Sequence, residues 1–587
     1  MGMAPIGARF LILGAAQLGD GRRSISYGFR IIDDEACARL QQEGMPAWLA
    51  RLYASRGVKT AQEVRPHLSE LLHYRTMRNI DATARRIARA IEEGETIVVV
   101  GDYDADGATA TAAAILGLRM LGAREPRFVV PDRFKHGYGL SAEVARLAAE
   151  HRPSLLITVD NGIGAFSGVE EARRLGMDVI ITDHHLAGDR LPDTPWIVNP
   201  NQPGCVFAGK HTAGVGVLFY VLLATRSLLM TAGRWTQAQK PRLESLLDLV
   251  ALGTVADVVQ LDANNRRLVA AGLARIRNGQ SRALVRHLFD LSRRTTAYAT
   301  ASDLGFYVGP RINAAGRMVD MTLGIQGLIA DGERAAEIAQ ALDDINRERK
   351  ETQKQMELQA AALLDEIGGL SAPAGLVLYR PEWHEGVIGL VASRVKEKYW
   401  RPTIVLCDDQ DGHLKGSGRS IVGLHLRDAL DWIDRKLPGS ILKFGGHAMA
   451  AGLTLRREAL EAFRNAFVDV CARWLSPQAL ERQLLLDTPA AWSEIDFAAA
   501  STLESLVWGH GFEEPIFGSS LPIVRQEILK DAHLRFEVDA GGGRRLKGIC
   551  FGRTAPIEPG HMVAWRLMAE RWNGYENATI RVEQVFD

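Results

Sequence analysis

Residues 96–110 read TIVVVGDYDADGATA. A run of β-branched apolar residues leads into Asp102, Asp104 and Asp106, one at every second position, and Gly107 follows. An apolar run without alternation is the pattern of a strand covered on both faces. D-x-D-x-D-G is also the first half of an EF-hand calcium loop. That loop needs a preceding helix and a bidentate glutamate at its twelfth position. Here a strand precedes it and the twelfth position is Ala113. The three carboxylates therefore belong to a strand-to-helix turn.

The same alternation continues outward. ATARRIARAIEEGE is an amphipathic helix before the strand, and ATATAAAILGLRMLG an alanine-rich helix after it. PRFVVPD, SLLITVDNG and DVIITDHH read as further strands, separated by the helices SAEVARLAAEH and GVEEARRLG. Apolar strands spaced by helices predict a parallel sheet with helices on both faces. In such a sheet the strand C-termini share one edge, where ligands bind. Asp104 and Asp106, Asp160, and Asp183 with His184 and His185 all fall at strand ends, so the pattern brings them to one rim. Asp257 closes another apolar segment, LLDLVALGTVADVV. Carboxylates gathered so closely repel one another unless cations sit between them. Carboxylate and imidazole donors suit Mn²⁺, and carboxylates with water suit Mg²⁺. A pair of such ions activates water and clamps a phosphoryl centre. No G-x-S-x-G elbow and no G-x-x-x-x-G-K-[ST] loop offers a competing chemistry.

The remaining chain divides by pattern. Residues 1–84 read as a mostly helical lead-in, and 85–330 as the parallel α/β domain. Residues 331–369 form one long, highly charged helix, of the kind that bridges two domains. A second, smaller α/β domain follows over 370–465. Residues 466–587 turn β-rich and glycine-interrupted, which suggests a small barrel. The chain has 587 residues, a formal net charge of zero and five scattered cysteines, which argues for a reducing compartment without disulfides. The N-terminus shows no basic segment leading into a long apolar run, and the apolar stretch 215–225 is short for a bilayer and reads as a buried helix. A cytoplasmic protein without a membrane span is expected. Between residues 263 and 295 eight arginines face one acid, Asp290, which leaves open a solvated helix face or a nucleic-acid track.

VVGDYDADG, ITVDNG, TDHH and GTVADVV resemble the motifs of the DHH phosphoesterase superfamily. PDRFKHGYGLS, GPRINAAGRM, HEGVIGLVASRV, GSGRS and KFGGHAMAAG extend the resemblance to its RecJ exonuclease family, with a DHHA1 domain and an OB-like end, over roughly residues 85–585. The resemblance implies 5′→3′ hydrolysis of single-stranded DNA to 5′-mononucleotides, in recombination and repair, with two divalent ions, Mn²⁺ or Mg²⁺. It implies that Asp104 and Asp106 each bind one ion, that Asp160 bridges them, and that His184 and Asp257 complete one site. His185 would face the scissile phosphate. Val100 stands where some relatives carry a histidine ligand, and Asp102 would orient the loop. Substrate contacts are implied for Arg133, Tyr138, Arg311, Asn313, Arg419, Ser420, Gly446 and His447. In the OB-like end the candidates are Phe536, Arg544, Arg545, Lys547, Phe551, Trp565 and Trp572. Implied partners are single-strand-binding protein and a RecQ-type helicase, with a monomeric enzyme. The alternative within the superfamily is a phosphodiesterase of short oligonucleotides or cyclic dinucleotides.

Overall fold

The structure, a computed structural model, describes residues 10–16, 25–133, 135–366 and 373–586. At its centre is a five-stranded parallel sheet. Its strands run in the order Arg127–Val129, Ile97–Val100, Leu155–Val159, Asp178–Thr182, Trp196–Val198. Their unbroken apolar character has a direct cause. Ile97, Val99, Leu155 and Ile157 face one core, while Val98, Val100, Leu156 and Val179 face another on the opposite side. The helix Ala105–Leu121 fits between the sheet and the helices Gly214–Thr231 and Leu247–Ala256 because its alanines and glycines let neighbours approach. Helix Gly214–Thr231 is the one described helix long and apolar enough to cross a membrane, and 67% of it is buried within the protein.

The helix Gly332–Glu366 runs for 35 residues, and its buried face changes character along its length. Ile338, Ala339 and Leu342 join the core of the first domain, and Met356, Ala360 and Leu364 join the core of the second. Between them Asn346, Arg349 and Gln353 form a buried polar ladder, in which Arg349 donates to Asn346 and to Gln353. Polar side chains on this stretch therefore do not mark it as solvent-facing; they satisfy one another at the crossing. The expected end of the helix, 367–369, lies outside the described residues.

The second domain is a five-stranded sheet in the order Ile441–Gly446, Ala450–Leu455, Leu414–Arg419, Thr403–Asp408, Leu376–Tyr379. The C-terminal sheet has six strands, Phe517–Ser519 and Ile523–Leu529 being its two edges. Those edges do not pair with each other, so the expected barrel is an open sheet, with one parallel pair between Arg545–Phe551 and Tyr575–Phe586. The lead-in also departs from expectation. Strands Phe10–Ala16 and Ile25–Arg30 pair as a hairpin, and Ile25–Arg30 then runs parallel to Arg482–Leu486. The start of the chain is thus stitched to the C-terminal part by a pairing that no local pattern announces.

Candidate active site at the strand ends

Asp104 caps the helix Ala105–Leu121, its carboxylate accepting from the Gly107 amide at 3.0 Å. Asp106, in the first turn of that helix, accepts from the amides of Gly214 and Val215 at 2.7 and 3.0 Å. The N-terminus of the buried helix Gly214–Thr231 thus points its free N–H groups at this carboxylate. Gly214 also lies so close to Asp160 that a Cβ there would stand 2.6 Å from the carboxylate oxygen Oδ1, so only glycine fits.

Asp160 adopts a left-handed backbone, φ 61°, at the end of its strand. Such a conformation costs about 1 kcal/mol or more and persists where neighbours impose it. Here the Asp160 N–H donates to the Thr182 carbonyl at 3.0 Å, and the Tyr138 hydroxyl donates to the Asp160 carbonyl at 3.1 Å. His184 Nε2 sits 3.1 Å from Asp160 Oδ1 and 3.5 Å from Asp257 Oδ2. Asn201 and Asn199 hold the histidine backbone by donating to the carbonyls of His184 and His185 at 2.6 and 2.9 Å. Asp257 enters from a different element, the end of helix Leu247–Ala256.

The donor atoms fall into overlapping groups: Asp102, Asp104 and Asp160; Asp106, His184 and Asp257; and Asp160 with both histidines. Within each group the donor atoms lie within 4.8 Å of one another. Asp102 Oδ1, Asp160 Oδ1, His184 Nε2 and Asp257 Oδ2 are buried without hydrogen-bond partners. A buried polar atom without a partner is costly, and a cluster of them needs a ligand. Oxygen donors with one imidazole fit Mn²⁺ or Mg²⁺. The protonation equilibria agree. Burial, then the neighbouring Asp104, raises Asp102 to about 8 and Asp106 to about 7. Burial, then Asp106, raises Asp160 and Asp257 well above the usual carboxylate range. Burial, then the charge of His185, lowers His184 to about 3, which keeps its imidazole neutral and able to act as a ligand.

His185 behaves oppositely. Burial works to lower its pKa, but its Nδ1 bonds Asp183 Oδ1 at 2.8 Å and the pair lifts it to about 9. Asp183 is raised by burial, yet the His185 bond and charge prevail and hold it at about 2. It also accepts from the amides of Ile163, His184 and His185. The sequence pattern puts Asp183 on the same rim as the candidate ligands but assigns it no role there. Its signal lay in its place directly before the two histidines, where only its side chain can turn back onto them.

Family models match the chain in order: the DHH family N-terminal domain over residues 96–254, the DHHA1 domain over 373–473 and the RecJ OB domain over 486–584. Over 556 residues the chain is 44% identical to the single-stranded-DNA-specific exonuclease RecJ of Dickeya dadantii, across 93% of this chain and 96% of that protein. The chain belongs to the RecJ family. It is 43% identical over 555 residues to RecJ of Escherichia coli, across 92% of this chain and 96% of that one. Thermus thermophilus RecJ in complex with Mn²⁺ superposes with a TM-score of 0.78 at 28% identity, covering 94% of this chain and 77% of that chain. The Mg²⁺ complex gives 0.71 at 26% identity, with coverages of 94% and 76%.

Around this RecJ-type cluster the expected substrate residues separate. The Arg133 guanidinium stacks over Tyr103 at 4.3 Å, and Tyr138, half exposed, places its hydroxyl 3.2 Å from His185 Nδ1. His447 of the second domain stacks on His185 with ring centroids 6.3 Å apart. Arg311, by contrast, is buried and bonded to Asp343 at 2.8 Å, which ties its helix Gly309–Met318 to the long helix. One turn and a half further along that helix, Arg317 faces the seam between the two domains and donates to the Gly386 carbonyl at 3.3 Å. Burial, then the charges of Arg133 and Arg419, lowers Arg317 to about 9. Three guanidinium groups thus converge where the sequence pointed to Arg133, Arg419 and Arg311. The amide oxygen of Asn313 accepts from the Ala105 N–H at 2.8 Å, so it holds the aspartate loop rather than reaching outward. The Ser420 hydroxyl is buried and donates to the Leu424 carbonyl at 2.8 Å. Gly446, at φ 140°, turns the chain against Ala450 and Ala451, where a Cβ would collide.

In the C-terminal sheet Phe536 and Trp565 are buried core, while Phe551 and Trp572 are exposed. Arg545 and Lys547 are also exposed, and Arg544 is turned onto the carbonyls of Trp492, Ser493 and Ile495.

Proposed function

We propose that this chain is a single-stranded-DNA exonuclease that hydrolyses phosphodiester bonds from the 5′ end, releasing 5′-mononucleotides, with two divalent cations. The observation that carries this reading is the cluster of buried, unpartnered carboxylate and imidazole atoms at the rim of the sheet. In this reading Asp106, His184 and Asp257 would hold one ion, and Asp104, Asp160 and Asp102 the other. Asp102 supplies a donor on the side where Val100 offers none. Bound there, the ions lower the pKa of a water and offset charge on the phosphoryl oxygens.

The chain's own groups do the rest. Asp183 fixes the orientation of His185 and keeps it protonated, so that its Nε2–H donates to a phosphate oxygen as charge grows there. Tyr138 holds the other edge of that position. Arg133, Arg317 and Arg419 lie close enough for their charges to act on one another, and take a phosphate of the strand, for which guanidinium groups have matching geometry. His447 stacks on His185 and brings the second domain over the cleft. Exposed Phe551, Trp572, Arg545 and Lys547 extend the track over the C-terminal sheet by stacking and charge. From the family we add a monomeric, cytoplasmic enzyme acting with single-strand-binding protein and a RecQ-type helicase.

The test is a nuclease assay on single strands labelled at either end, with Mn²⁺, Mg²⁺ or EDTA. Mononucleotides appearing at once from the 5′-labelled strand, and only with metal, are expected. Release first from the 3′ label reverses the polarity, and turnover of dinucleotides alone refutes the substrate.

A further inference from the structure

Phe306 is 76% exposed, although a phenylalanine ring is strongly favoured inside. It lies on a single π-helical turn, Leu304–Val308, inserted before the helix Gly309–Met318. Such turns are rare and recur at functional sites. The inner side of this turn packs on the helix that delivers Asp257. A Cβ on Gly305 would stand 3.3 Å from Val255, and one on Gly309 would stand 3.2 Å from Ala256. The outer side holds Phe306 and Tyr307 to solvent.

The residue after Asp257 is strained as well as exposed. Val258 has φ 60°, a region a β-branched side chain rarely enters, and is 61% exposed. Two apolar side chains are therefore held out of the core on two elements that pack together, one of them directly following the candidate ligand Asp257. Neither is part of the phosphate-binding arginine cluster at the domain seam. Two cations border this turn: Arg311 donates to the Tyr307 carbonyl at 2.7 Å, and Arg294, paired with Asp303, lies 5.1 Å over the ring of Tyr307.

We infer that Phe306 is a stacking platform for a nucleobase of the strand undergoing cleavage. This rests on the function proposed above and adds a contact to it. A flat apolar face on a turn packed against the helix that ends in the candidate ligand Asp257 suits a base, since every base offers a π-face whatever its sequence. It also supplies a reason for single-strand specificity. In a duplex the base faces are already stacked on their neighbours, whereas a single strand can turn one base onto Phe306.

The test uses the full chain with Mn²⁺ and a set of 5′-phosphorylated single strands, one intact and others with a single abasic nucleotide stepped inward from the 5′ end. For the unsubstituted protein, removing one particular base should raise KM about tenfold, the lower part of the range for a lost base–aromatic contact. Phe306→Ala should raise KM about tenfold on the intact strand, with the abasic change at that position adding nothing further. Phe306→Trp should restore both the low KM and the sensitivity to the missing base. Because the ring is exposed, the thermal midpoint should not move. Additive losses at every position, or a KM for Phe306→Ala within about twofold of the unsubstituted protein, would overturn the inference. If the unsubstituted protein degrades no intact strand, the function proposed above fails first, and this contact fails with it.

Discussion

In the stretch from 263 to 295, Arg266 donates to the carbonyls of Leu261 and Glu63, Arg267 to Gln62, and Arg277 to Ala299 and Ser505. Arg282 pairs with Asp248 and Arg294 with Asp303. At the rim of the sheet the density of charge is similar, but the sign is opposite, and among the described residues no guanidinium or ammonium group pairs with the clustered carboxylates. Asp102, Asp160, His184 and Asp257 each leave a buried atom unbonded. The arginine stretch, rich in charge on paper, fastens the lead-in and the C-terminal helices to the catalytic domain. The rim holds charge that the protein itself does not answer. The arginine stretch leaves single Nε atoms unbonded on groups that are otherwise held, whereas the rim gathers several like charges with no opposite charge among them but the histidines, and charge density alone does not reveal that difference.

The comparison breaks most readily at Asp160. Asp160→Ala is expected to lower kcat by about a thousandfold or more while single-strand binding in EDTA persists, measured by anisotropy. Near-normal cleavage would show that this carboxylate is not needed. His185→Ala should lower kcat about a hundredfold with Mn²⁺ binding kept, followed by electron paramagnetic resonance. A lost Mn²⁺ signal would make it a ligand instead.

Proton competition sharpens the contrast further. Asp102 and Asp106, raised by burial and by Asp104 to about 8 and about 7, take up protons in the metal-free fold that the unfolded chain does not hold near neutrality. Stability in EDTA should therefore fall as pH rises from about 4 to about 8, and Mn²⁺ should remove that fall. Mn²⁺ affinity should rise over the upper part of the same window. A flat thermal midpoint in EDTA would show that the carboxylates ionise freely without a cation.

The two arginines of helix Gly309–Met318 divide the same way. Arg317→Ala should raise KM about tenfold with little change in the thermal midpoint, since the loss of one long bond to the Gly386 carbonyl is offset by relief of repulsion from Arg133 and Arg419. Arg311→Ala should cost about 2 kcal/mol of stability by removing its bonds to Asp343 and to the Tyr307 carbonyl, although Asp343 keeps Arg347, with KM little changed. The smallest effect is expected for Arg277→Ala, at about 1 kcal/mol of stability and unchanged cleavage.

Much of this was legible along the chain. Strands buried on both faces write themselves as runs such as IVVV and LLITV, because every side chain meets a core. The parallel sheet and the metal chemistry at its edge followed from those runs and from the acids that end them, and the family from the resemblance of motifs such as TDHH and KFGGHAMAAG. The bridging role of the long helix followed from its length and polarity. What escaped was whatever depends on partners far along the chain. Arg311 and Arg317 sit in one motif and look alike in sequence, yet one meets Asp343 and the other meets a domain seam. Phe536 and Phe551 share a sheet, one inside and one out. The pairing of Ile25–Arg30 with Arg482–Leu486 joins segments with no local reason to meet.

By itself, then, the sequence determined the layered α/β domain, the placement of aspartates and histidines at strand ends, and the order of the three matched domains. These depend on the period of a strand or helix and on the residue that ends it, which are local properties. Only the tertiary structure decided which charges remain unanswered. It brought Asp102 into a donor group, turned Asp183 onto His185, and used Asn313 to hold the loop DYDADG instead of the substrate. Hydrogen bonds and ion pairs saturate, so whether a given group is free depends on every neighbour the fold brings to it, and that is known only once the chain is folded.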